Sequence, residues 1–127
     1  MRLTSLLVPM LVACAALAPG ALAAQKAQVR HVVVFKFKPG AEAAKIRQVI
    51  DALSGLQKTI PGIVSFEHGV NNSPEHKNLG FTHVCLVTFE NAQARDAYLP
   101  HPEHQKFGAL LRSLDVFEDV FVVDYEA

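Results

Sequence analysis

Hydrophobic and polar positions alternate along the chain in blocks whose period changes, and the changes mark the elements. Val29 to Phe37 reads Val-Arg-His-Val-Val-Val-Phe-Lys-Phe, rich in β-branched and aromatic residues and stopped by Pro39-Gly40, which predicts a strand. From Ala41 to Lys58 the apolar residues Ile46, Val49, Ile50, Leu53 and Leu56 recur at steps of three and four, which predicts a helix with one apolar face. Ile60-Pro61-Gly62 punctuates the chain, and a short strand follows from Ile63 to Gly69. Asn71 to Gly80 is polar and turn-rich and reads as a solvated loop. Phe81 to Phe89 gives a third strand, after which Asn91 is positioned to cap a helix running through Tyr98. Pro100 and Pro102 break that helix, a further one runs from Glu103 to about Leu114, and Val116 to Tyr125 supplies a fourth strand.

The order βαββαβ is the ferredoxin-like split arrangement, an α+β fold with a four-stranded antiparallel sheet and helices on one face. Both faces of the predicted sheet are apolar, however. One carries His31, Val33, Phe35, His83, Cys85 and Val87; the other carries Val32, Val34, Val84, Leu86, Phe121 and Val123. Helices cover only the first, and a second copy of the chain is the expected cover for the other.

The first 23 residues stand apart from this pattern. Arg2 is followed by a mostly apolar run from Leu3 to Ala18, Pro19-Gly20 breaks it, and Ala21-Leu22-Ala23 supplies small residues for a signal peptidase. The reading is a signal peptide over residues 1–23, a domain over 24–127, and a periplasmic or secreted location. Leu11-Val12-Ala13-Cys14 also has the form of a lipobox, and a cut before Cys14 would tether the protein to a membrane instead. Removal of 23 of the 127 residues leaves 104, enough for one domain. Of the 12 basic and 12 acidic residues only Arg2 is lost, so the expected net charge is −1, which argues against nucleic acid as a partner. Cys85 alone remains, so no disulfide forms within the domain, and it reads as a small buried apolar residue.

All six histidines fall after residue 23. His31 and His83 sit on the side of their strands expected to meet the helices. Tyr98-Leu99-Pro100-His101-Pro102-Glu103-His104 places a tyrosine and two histidines at the helix break, and Asp124 shares a face with Val120 and Val122, where a carboxylate could fix a histidine tautomer. His101, Glu103 and His104 lack the spacing of a zinc site. His68 and His76, near or in the polar loop, are expected at the surface.

These segments resemble the stress-responsive dimeric α/β-barrel (Dabb) family: His31-Val-Val-Val-Phe-Lys-Phe-Lys38, Ile60-Pro-Gly62, Gly80-Phe-Thr-His-Val84, Val87-Thr-Phe-Glu90, Tyr98 with His101-Pro-x-His104, Phe107-Gly108 and Asp124-Tyr125. The resemblance implies a homodimer whose two sheets form a barrel. The family includes plant stress proteins and a polyketide cyclase, olivetolic acid cyclase, which performs an intramolecular aldol condensation without metal or organic cofactor. By that resemblance Tyr98 and His104 form a catalytic dyad supported by Asp124, and His31, His83, Val49, Ile50 and Leu53 line a ligand pocket, the last three being aliphatic where the cyclase has bulky aromatics. Two functional classes follow: a dimeric small-molecule-binding or stress-response protein, and a cofactor-free lyase or cyclase. A haem enzyme of related barrel shape is disfavoured by the absence of tryptophan.

Overall fold

The computed structural model describes residues 26–127; the expected leader and Cys14 lie outside them. The elements are β1 (Val29–Phe37), α1 (Ala43–Gly55) continued by a 3-10 turn (Leu56–Lys58), β2 (Ile63–Val70), β3 (His83–Phe89), α2 (Ala92–Tyr98), α3 (Pro102–Leu114) and β4 (Phe117–Glu126). They form a ferredoxin-like fold with an antiparallel sheet in the order β2-β3-β1-β4. The two central strands are thus β1 and β3, the most apolar in the sequence.

The helix predicted over 41–58 is shorter at its start and tightens at its end. Gly40 sits at φ 74°, a left-handed conformation that suits the turn after Pro39, and Ala41 N–H returns to Lys38 C=O at 3.0 Å before α1 begins. Val49, Ile50 and Leu53 of α1, with Phe107 and Leu111 of α3, close over Val33, Phe35, Cys85, Val87 and Phe89 of the sheet. Cys85 is fully buried there, and burial pushes its thiol pKa up to about 12, so it behaves as a core residue rather than a nucleophile. His76 is exposed, as expected.

Asn91 caps α2 as the sequence suggests, its side-chain oxygen accepting Ala94 N–H at 2.9 Å. Gly62 brings the start of β2 close to this helix. Its φ is 89°, and a Cβ built on it would stand 2.6 Å from Ala94 Cβ. None of the described elements covers the opposite sheet face. Val34 pairs with Val84 on one side and Phe121 on the other, and Val32 pairs with Leu86 and Val123, so these residues form one continuous patch. Val84, Phe121 and Val123 are exposed by 38–52%.

Candidate functional site

The break between α2 and α3 is built by its own polar residues. Pro102 occupies the first turn of α3, where a missing N–H costs nothing, and His101 Nδ1 accepts Glu103 N–H at 3.2 Å as the cap. His101 therefore serves the helix start. One turn into α3, His104 Nδ1 donates to Leu99 C=O at 3.0 Å, satisfying a carbonyl at the end of α2. That bond fixes the tautomer and leaves the Nε2 lone pair of His104 free.

Tyr98, at the last position of α2, points under this bridge. Its ring lies 4.2 Å from that of His104, tilted by 32°, and also packs on Phe89 at 4.9 Å. The side chain is 1% exposed, and burial holds its pKa well above the ordinary phenol value, so it remains a hydrogen-bond donor at neutral pH. The hydroxyl has no hydrogen-bond partner among the described residues, and yet no described side-chain polar atom is sealed off without a partner. Tyr98 lines an open space beside α3. That space is a cavity of about 650 Å³ between α3 and the sheet, walled by apolar side chains including Phe35, Leu53, Phe107 and Val122.

His31 enters the same cavity from β1. Its Nδ1 donates to Asp124 Oδ1 at 2.7 Å, and Arg95 Nη1 donates to the other carboxylate oxygen. Burial, the largest influence, lowers the His31 pKa below 6.5; the hydrogen bond and charge of Asp124 oppose it, while the charges of His104 and Arg95 reinforce it. His31 is accordingly neutral at pH 7, protonated at Nδ1 because only an N–H satisfies the carboxylate, with Nε2 free. Tyr98 and the two imidazole side chains thus line one largely apolar space.

The expected pairing of Asp124 with His104 is corrected by this geometry: β4 lies beside β1 in a register that sets Asp124 opposite His31, and His104 bonds Leu99 instead. The pocket set also divides. Leu53 lines the cavity with His31, but Ile50 and His83 line a second cavity of about 470 Å³ together with His68, and the fully buried Val49 lines neither. The cause lies in the pairing of β1 with β3, where His31 faces Val87 and His83 faces Phe35. The two histidines share a side of the sheet but sit four positions apart along it, about 13 Å. His68, exposed as expected, stacks on His83 with centroids 5.7 Å apart, and His83 Nδ1 bonds Thr82 Oγ1 at 2.8 Å.

Sequence reading missed Arg95, whose position three residues before Tyr98 puts it on the same helix face. It also missed Arg112 and Gly108, one turn apart on the cavity side of α3.

Comparison with known proteins agrees with this architecture over the whole domain. A family model described as the stress responsive A/B barrel domain matches residues 29–127. The chain belongs to that family. The stress-response A/B barrel domain-containing protein HS1 of Arabidopsis thaliana is 35% identical over 102 residues, covering 80% of this chain and 91% of that protein. Olivetolic acid cyclase of Cannabis sativa is 31% identical over 97 residues, covering 76% of this chain and 94% of the enzyme. A dimeric ferredoxin-like protein from Jannaschia sp. superposes with a TM-score of 0.66 at 30% identity, covering 79% of this chain and 99% of that one. Within the family's frame, this chain lines its larger cavity with Tyr98, His104 and His31, with Gln105 and Arg112 as the other polar side chains and Asp124 behind His31.

Proposed function

We propose that this protein is an exported, homodimeric A/B-barrel protein whose larger cavity binds a small, mostly apolar molecule carrying a carbonyl group. The observation that carries the reading is Tyr98, a buried side chain that lines this largely apolar cavity and whose hydroxyl makes no hydrogen bond to another described residue. A hydroxyl in that setting gains a hydrogen bond when a carbonyl oxygen arrives. Screening the purified dimer against a metabolite library by thermal shift, followed by a structure of any hit, tests this. Hits that stabilise the parent and not Tyr98→Phe support it; hits that stabilise both equally place the ligand elsewhere. Export rests on the Arg2, apolar-run and Ala-Leu-Ala pattern, and N-terminal sequencing should begin at Ala24; a lipidated Cys14 or an intact Met1 overturns the free exported form.

A second reading, cofactor-free carbon–carbon chemistry, is favoured by the imidazoles beside that hydroxyl and by the likeness to olivetolic acid cyclase. Tyr98 donates to a substrate carbonyl oxygen while His104 Nε2 removes a proton from the neighbouring carbon. The resulting enolate carbon bonds to a second carbonyl carbon of the same molecule, and the new alkoxide takes its proton back from the imidazolium. His104 suits the proton-holding role better than His31, because it is partly exposed and can exchange with water, whereas burial lowers the proton affinity of His31. His31, held by Asp124, orients the substrate.

A further inference from the structure

The charged groups around the larger cavity do not balance. Its described lining contains no carboxylate, and it contains one formal charge, the guanidinium of Arg112. Asp124, just behind His31, is already taken by Arg95. Arg112 makes no ion pair among the described residues. Its side chain also lies back along α3 toward the cavity: a Cβ built on Gly108 would stand 3.4 Å from Arg112 Nη1. Absence of a side chain at Gly108 thus leaves the guanidinium room against the cavity wall.

Position along the helix adds a length. His104 and Arg112 are eight residues apart on α3, about 12 Å along its axis. Past Gln105, which adjoins His104, the wall between them is apolar, with Phe107 and Leu111 from the helix and Val120 and Val122 from β4. We infer that the cavity's ligand is an elongated apolar monocarboxylate, its polar function at Tyr98 and His104 and its carboxylate on Arg112. A carboxylate suits the planar guanidinium, and the apolar wall between the two ends excludes a charge midway. Because Arg112 is exposed, its contribution is screened and sets preference more than total affinity.

The inference rests on the cavity being a binding site, and the test separates the two. Decanoate and 1-decanol share their apolar chain and differ at the head group. Calorimetry on the folded protein at pH 8 and low salt should find decanoate bound roughly tenfold more tightly than 1-decanol. Arg112→Gln should remove that difference while leaving 1-decanol unchanged, Arg112→Lys should keep part of it, and high salt should narrow it in the parent. Equal binding of the two probes by the parent, or a preference for 1-decanol, overturns the carboxylate assignment and leaves the binding cavity standing. A decanoate preference that survives in Arg112→Gln moves the anion away from Arg112. Failure of both probes to bind overturns the binding reading and this inference with it.

Discussion

Asp124 on the last strand accepts the Nδ1–H of His31 on the first, at 2.7 Å, in a directly opposed cross-strand pair. The contact makes the protonation of one buried imidazole part of the sheet's stability. Folding lowers the His31 pKa, chiefly through burial, and that of His83, through burial and then the neighbouring His68. As pH falls through about 6.5 the unfolded chain takes up these protons while the folded chain still resists them. Stability should therefore be full above about pH 7, decline as pH drops below 6.5, and level off once the folded histidines also titrate. Thermal melts of the parent between pH 5 and 8 should show this slope, and His31→Gln should flatten it in part, leaving the share of His83. A parent whose stability rises on acidification through the same window would contradict the assignment.

Tyr98 and His104 should separate binding from folding. The Tyr98 hydroxyl makes no hydrogen bond to another described residue, and Tyr98 lines the cavity, so Tyr98→Phe should change stability by no more than about 0.5 kcal/mol while removing the gain from carbonyl ligands. His104→Ala loses the bond to Leu99 C=O and should cost about 1 kcal/mol without leaving Asp124 stranded, since that carboxylate is held by His31 and Arg95. Under the carbon–carbon reading both variants lose turnover and remain dimeric. Urea titration of the two variants beside the parent, with turnover measured on any substrate found, checks each half. A Tyr98→Phe protein destabilised by several kcal/mol would show that its hydroxyl has a structural role.

The elements were legible because each carries a local signal: β-branched runs for the strands, three- and four-residue spacing for α1, Asn91 at a cap, and prolines at the break between α2 and α3. The site was legible only as a set of residue types. Asp124 was visible as a carboxylate that could hold a histidine, but which histidine depends on the register of β4 against β1, and register is a property of the paired strands. The same limit grouped His31 with His83. Alternation along each strand correctly put both on the helix side, whereas their distance along the sheet follows from the β1–β3 pairing. Arg112 was hidden for another reason: an arginine in the last turn of an amphipathic helix looks like a solvated charge until Gly108 shows where its side chain lies.

Gly62 should prove intolerant of any side chain. Its positive φ disfavours other residues, and a Cβ would overlap Ala94 on α2 at 2.6 Å. Gly62→Ala should cost about 1–3 kcal/mol from backbone strain alone. Because α2 carries both Arg95 and Tyr98, the displacement should also reach the cavity and weaken ligand-induced stabilisation. Denaturant melts with and without a bound ligand would measure both effects. A variant as stable as the parent would mean that the β2–α2 contact is looser than the geometry requires.

The outer face of the sheet makes the strongest demand on assembly. Val84, Phe121 and Val123 are exposed by 38–52%, and the strand pairing joins them through Val32, Val34 and Leu86 into one apolar surface. Relatives with this fold are described as dimeric, and a twofold partner would bury the patch on both chains at once. Burying one such side chain is worth about 1.5–3 kcal/mol, and in a symmetric pair each substitution acts twice. Light scattering should give the mass of a dimer for the parent, and Val84→Glu with Leu86→Glu should give monomer or unfolded chain. Ala109→Glu, at an exposed position of α3, on the helix side of the sheet, is the control and should leave the mass unchanged. A parent that stays monomeric at high concentration, or a Val84→Glu, Leu86→Glu chain that still dimerises, would place the interface on another surface.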